Sequence, residues 1–119
     1  MSVFETEVTK IGPEAEMFRA EKMLILFGDN APEGLAEYCY NIVMAKSASD
    51  ITTEMVLNFD DKSYKITAVG NVVDKNLNEL GHITVKFTGE MEAEMAGTLY
   101  VEATEMPQLA IGTKISITK

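Results

Sequence analysis

His82 is the only imidazole in this 119-residue chain, and Cys39 is its only thiol. A neutral histidine ring offers a nucleophilic nitrogen near physiological pH, while a hydrogen bond to the other nitrogen fixes the tautomer. No other side chain here supplies that chemistry so readily. Cys39 has no basic neighbour in sequence to lower its pKa, so it reads as a small buried apolar residue rather than a reactive thiol. One cysteine closes no internal disulfide and builds no metal site by itself, so neither a metal nor another cofactor is expected, and a reducing compartment fits.

The elements that must position the imidazole lie on either side of it. Val73, Asn76, Leu77 and Leu80 recur at helical spacing, and Gly81 stands where a helix needs a left-handed stop. From there the period changes. Ile83, Val85 and Phe87 take one face of a strand, while His82, Thr84 and Lys86 take the polar face. A short helix feeding directly into a strand is a rigid mount for a reactive group. The plainer role for such a residue is a strand-end histidine satisfied by a backbone carbonyl, since no triad or metal partner is visible.

Nineteen acidic against ten basic side chains give a formal charge of −9, which repels phosphate backbones and anionic lipid headgroups. Nucleic acid and membrane-surface binding are therefore excluded as expectations; the acidic surface either steers a basic protein partner or serves solubility. No run approaches the roughly 20 apolar residues of a spanning helix, so direct membrane insertion is not expected. The stretch Met1-Ser2-Val3-Phe4-Glu5-Thr6-Glu7 lacks the basic and apolar regions of a signal peptide, which makes a cytoplasmic location the expectation.

Short β-rich runs separated by turn residues predict an all-β fold, mainly β with one or two short helices: a small closed or partly open barrel or sandwich of about seven strands. Residues 1–119 are expected to form a single domain, with no internal repeat, low-complexity tract or linker. Val3 to Ile11 reads as the first strand, and Met23 to Phe27 as a strand covered on both faces and ended by Gly28-Asp29-Asn30. From Ile51 to Phe59 the residues Ile51, Thr53, Met55, Leu57 and Phe59 alternate onto one face. Asp60-Asp61-Lys62 then turns the chain into Tyr64 to Val69 as a hairpin. Thr98 to Ala103 and Lys114 to Thr118 are expected to be closing strands, with Pro107 in the connection between them.

Ala31 to Lys46 fits both periods. The pattern predicts a helical turn near Pro32 to Glu37, begun at Asn30-Ala31-Pro32-Glu33, and then a strand from about Tyr38 to Ala45. The eight methionines are scattered, which suits plastic core and edge filler better than one partner-binding surface. The acidic segment Glu90 to Glu94 either meets a basic partner or keeps a loop wet.

Taken in order, Ala31-Pro32, Leu35, Glu37-Tyr38-Cys39, Tyr64-Lys65-Ile66-Thr67-Ala68-Val69-Gly70, Asn76-Leu77, Glu79-Leu80-Gly81-His82-Ile83-Thr84, Phe87, Gly89 and Gly97-Thr98 resemble the glucitol/sorbitol-specific IIA component of the bacterial phosphotransferase system. The likeness runs nearly end to end. It implies a phosphocarrier that accepts a phosphoryl group on histidine from HPr and passes it to a cysteine of the IIB component, while the IIC membrane component admits the sugar. Such transfer asks for a positioned nucleophile, donors for the phosphoryl oxygens and a docking surface. On this reading His82 attacks, Thr84 donates a hydroxyl from the same strand face, and Glu79 on the preceding turn orients the ring.

One stretch departs from the family. Enterobacterial relatives follow Glu-Tyr-Cys with a histidine-cysteine-histidine run usually taken to contain the phosphorylated residue, and here Ile42-Val43-Met44 occupies it. Three readings stand: His82 is itself the phosphoacceptor; the chain has lost transfer and acts as a regulator or sensor through protein contacts; or it is a small β-barrel that binds a ligand. A deep apolar cavity lined by methionines would favour the last.

Overall fold

Inward alternation along the first and longest strand sets the architecture. In β1, Ser2–Ile11, the side chains of Phe4, Thr6 and Val8 are buried while Glu5, Thr9 and Lys10 face solvent, which is the period-2 signature of a sheet with one covered face. The structure, a computed structural model, describes residues 2–28 and 31–119. After β1 come a 3-10 helix, Met17–Glu21, then β2, Met23–Phe27, a one-turn helix α1, Glu33–Ala36, and β3, Tyr40–Ile42. The second half contains β4, Val56–Phe59, β5, Lys62–Val69, helix α2, Val73–Leu80, β6, Ile83–Lys86, β7, Thr98–Val101, and β8, Lys114–Thr118.

The eight strands close into a barrel in the order β1-β3-β2-β6-β7-β5-β4-β8, and β8 returns to β1. Closure leaves no free sheet edge. Leu24, Leu57, Val85, Leu99, Ile115 and Ile117 fill the interior, each nearly or fully buried. The residual cavity, walled by Phe4, Leu26, Leu77 and Ile83 among others, measures about 10 Å3. That is about the size of one water, so this core has no room for a bound small molecule.

An internal two-fold relates the halves of the chain, contrary to the expectation of no repeat. β1, β2, β3 and β4 take the same mutual positions as β5, β6, β7 and β8. The registers agree in detail: Val8 pairs with Ile42 and, after a bulge, Lys10 with Asn41, just as Ile66 pairs with Val101 and Ala68 with Tyr100. Gly12 N donates to Cys39 O as Gly70 N donates to Thr98 O, both at 3.0 Å. The 3-10 helix and α2 end alike, on left-handed residues Lys22 (φ 61°) and Gly81 (φ 68°). The repeat escapes notice in sequence because only the backbone geometry is kept. Val8-Thr9-Lys10-Ile11-Gly12 against Ile66-Thr67-Ala68-Val69-Gly70 is the clearest trace.

Several boundaries differ from expectation. The fold class is as expected, mainly β with short helices, and the barrel's eight strands are close to the seven or so anticipated. β2 is covered on one face only, Met23 and Ile25 being half-exposed; Asp29 and Asn30 lie outside the described residues. The Ile51 to Phe59 run becomes strand only at Val56, because Met55 N turns back to Thr52 O and Thr53 points to solvent. β3 is shorter than Tyr38 to Ala45, and the cap of α1 is Pro32. β8 closes the barrel between β4 and β1, while β7, which ends at Val101 rather than Ala103, lies between β6 and β5. Of the methionines, Met55 lies in the core, Met23 and Met106 are half-buried, and Met17, Met44, Met91 and Met95 are exposed, so more of them face solvent than filler at the core and edges would.

Cys39 is fully buried, and its Sγ donates to the Leu35 carbonyl at 3.3 Å. Burial pushes its thiol up to about 11, so thiolate is scarce at neutral pH. The native chain is expected to resist iodoacetamide at about pH 8 and to react readily once unfolded in urea; intact-mass spectra of the two samples check this, and rapid labelling of the native chain contradicts it.

Candidate functional site

The site is built by a helix that stops and a strand that starts within two residues. α2 forms because Val73 and Leu77 share its buried face, giving the helix a tertiary anchor that eight residues need. At its end Gly81 N donates to Leu77 O at 3.0 Å and His82 N to Asn76 O at 3.2 Å. This is the paired closure that a left-handed glycine permits. Beyond it, Ile83 pairs with Leu26 in the antiparallel β2–β6 ladder, which leaves His82 facing Phe27.

The His82 ring stacks on Phe27, with centroids 4.5 Å apart and planes 28° from parallel. Its Nδ1 lies 3.3 Å from the Leu26 carbonyl oxygen. A carbonyl only accepts, so the proton of this bond sits on Nδ1 and the lone pair on Nε2. The ring is half-buried rather than walled in. The arrangement therefore presents one oriented nitrogen nucleophile, with a carbonyl behind it to offset positive charge and an aromatic face beside it that favours a cation.

The rim of the site comes from the segment after β3. Met44 sets its sulfur against Gly28 and Gly81, where a methyl on Gly81 would meet it at 2.9 Å. Asn41 Nδ2 donates to the Gly28 carbonyl at 3.2 Å. Asn78 on α2 clamps the same segment: its Oδ1 accepts from Ser47 N at 2.7 Å, and its Nδ2 donates to Ser47 Oγ at 3.0 Å and to Asp74 O at 2.7 Å. A second tie runs from Ile51 N to Asp74 Oδ1 at 3.0 Å. Helix, histidine and rim thus form one unit.

Of the residues singled out in sequence, His82 and Thr84 occupy the half-exposed face of β6 and the turn before it, with Ile83 and Val85 inward. Glu79 is exposed in the last turn of α2. Among the described residues neither Thr84 nor Glu79 bonds to the ring, whose hydrogen bond goes to Leu26. Ile42 is fully buried and points into the barrel, whereas Met44 stands at the rim. Phe27, the Leu26 carbonyl and Asn78 were not anticipated. The first two depend on strand register; the third had a faint signal, a polar residue of poor helix propensity in the middle of a short helix.

A model of the PTS system glucitol/sorbitol-specific IIA component family matches residues 3–116. The PTS system glucitol/sorbitol-specific EIIA components of Shigella flexneri and of Escherichia coli (strain K12) are each 34% identical over 111 residues, spanning 93% of this chain and 90% of theirs. The crystal structure of a PTS system IIA component from Enterococcus faecalis V583 superposes with a TM-score of 0.86 at 28% identity, over 97% of this chain and 99% of that one. Among the described residues no helix is long and apolar enough to cross a membrane.

The clamp makes a prediction of its own. Asn78→Ala strands the Ser47 amide and is expected to cost about 1–3 kcal/mol, read as a lower melting temperature with faster hydrogen exchange at Ser47. Lys75→Ala, at an exposed position of the same helix, is the control; an equal loss there would argue against the clamp.

Proposed function

Because the chain belongs to the glucitol/sorbitol-specific IIA family of the phosphotransferase system, we propose that it is a phosphocarrier whose His82 Nε2 accepts a phosphoryl group from HPr and passes it to IIB. The observation that carries this reading is the Nδ1 bond to the Leu26 carbonyl, which leaves Nε2 as the nucleophile. In the transfer the Nε2 lone pair attacks phosphorus, the bond from phosphorus to the donor's histidine nitrogen breaks, and that nitrogen leaves with the electron pair. The His82 ring becomes cationic while it holds its Nδ1 proton, and the Leu26 carbonyl and the Phe27 face stabilise that charge. In the reverse sense the same nitrogen is the leaving group when the IIB cysteine attacks.

Thr84, two residues along the same outward face, takes the role of hydroxyl donor to a phosphoryl oxygen. Glu79, exposed in the last turn of α2, takes the role of orienting the ring. Residues 1–119 act as one IIA domain in the cytoplasm, serving IIB and the IIC permease in glucitol/sorbitol uptake.

A second reading, a family member that has lost transfer and works through protein contacts, is favoured by Ile42 and Met44, whose side chains carry no phosphoryl group. A ligand-binding barrel is disfavoured by the filled core.

Incubation with phosphoenolpyruvate, enzyme I and HPr separates the two. Intact-mass spectra are expected to show one phosphoryl group on the wild type, acid-labile and alkali-stable as on a histidine nitrogen, and none on His82→Ala. Thr84→Val is expected to slow transfer on the order of tenfold, the worth of a hydrogen bond to a charged group. No phosphate on the wild type supports the regulator instead.

A further inference from the structure

Arg19 is the only arginine of the chain, and it stands in the half of the internal two-fold that lacks the imidazole. The side chain is half-buried, and its Nη1 donates to the Pro107 carbonyl at 2.8 Å. That neutral acceptor fixes the guanidinium and occupies one of its five donors. Nineteen acidic side chains are available, yet among the described residues the only ion pair is Lys114 with Glu7. Tyr40 is fully buried, and its hydroxyl has no hydrogen-bond partner among the described residues. Burial, and after it Glu16, raises the pKa of that hydroxyl while Arg19 lowers it, so the guanidinium is near without completing the bond. An arginine placed only to satisfy the barrel end would bond there.

Lys22 ends the same 3-10 helix at φ 61° and ψ 36°, where the equivalent turn carries Gly81. Its backbone N donates to the Arg19 carbonyl at 2.9 Å, and its own carbonyl accepts from Phe87 N at 2.9 Å. Lysine here takes a conformation that is unfavourable for an L side chain. What it adds over glycine is an ammonium group beside the guanidinium. The two cations and Thr104, Glu105 and Met106 line one open pocket of about 550 Å3, within the range of small-molecule sites. The facing wall is fixed as well, since Tyr64 donates its hydroxyl to the Glu105 carbonyl at 2.7 Å.

We propose that Arg19, Lys22, Thr104 and Glu105 form a binding site for the phosphate monoester of a small polyhydroxy compound. The guanidinium offers a planar fork to two phosphate oxygens and the ammonium a point charge to the third. Thr104 donates to or accepts from a ligand hydroxyl, and the Glu105 carboxylate accepts from another. The same carboxylate, in a chain of charge −9, opposes a ligand that is anionic at both ends. Hydroxyl groups beyond the phosphate are thus what the lining selects. The site shares no residue with the surroundings of His82 and stands whether or not that ring is the phosphoacceptor.

The test titrates isotope-labelled full-length protein with glucitol 6-phosphate, inorganic phosphate and glucitol while amide shifts are followed. The ester is expected to saturate with shifts at Arg19, Lys22 and Thr104, to bind about tenfold or more tighter than inorganic phosphate, and glucitol to leave these amides unmoved. Lys22→Gly installs the residue of the equivalent turn, so it is expected to melt no lower than wild type while binding the ester about tenfold or more weakly. Lys22→Asn, also suited to a left-handed turn, replaces it if the glycine variant does not fold. His82→Ala is expected to bind the ester as wild type does, which separates this site from the phosphocarrier reading. No saturation by the ester, equal affinity for ester and inorganic phosphate as for an adventitious ion only, or unchanged binding without the Lys22 ammonium overturns the proposal.

Discussion

The left-handed turn at Gly81 is the constraint on which the site depends. α2 must end and β6 must begin with no loop between them, and a backbone at φ 68° is the conformation that closes the helix and releases the strand at once. A side chain at this position pays twice. It enters a region that costs an L-residue about 1 kcal/mol or more, and its Cβ meets the Gly28 backbone at 2.8 Å. With the turn fixed, the height of His82 on the barrel wall follows from the β2–β6 ladder. Backbone thus positions the ring before any side chain contributes.

The hydrogen bond from Nδ1 to the Leu26 carbonyl serves two descriptions equally well. It satisfies a strand-end histidine, and it prepares a nucleophile. What separates them is the setting: a merely structural ring has no need of a half-exposed position, a stacked aromatic beside it and exposed apolar side chains in the neighbouring segments. Each feature is ordinary alone. Their convergence on the one histidine is what gives the functional description its weight.

The helix, its glycine stop and the outward face of His82 were legible in sequence because each is a local rule: a 3.6 period, a terminator, a switch to period 2. The hairpin at Asp60-Asp61 was legible for the same reason, and the register pairs Phe59 with Lys62 across it. What escaped is non-local. Phe27 and Leu26 reach the ring only through the pairing of strands far apart in sequence. The false strand at Ile51 to Met55 shows the opposite error. Ile51 and Met55 are buried as the alternation predicts, yet the segment is tied to α2 through Asp74 and meets β5 only at Met55, whose carbonyl accepts from Ile66 N, so burial periodicity survived without a ladder.

The two-fold also clarifies what replacement of the imidazole-bearing run by Ile42-Val43-Met44 does physically. Ile42 belongs to the inward set of β3 and is fully enclosed, so a polar ring there would be a buried group in need of partners. Met44 lies past the strand end against Gly28 and Gly81, within the shell of His82. The two positions therefore face different surroundings despite being two residues apart. Isoleucine at the first strengthens the core, and methionine at the second turns the border of the site apolar while leaving the Nε2 of His82 in place. The imidazole and the rim beside it are in this way held by separate devices. The nitrogen is held by strand pairing, the surface by a segment pinned to α2, and either can vary while the other is kept.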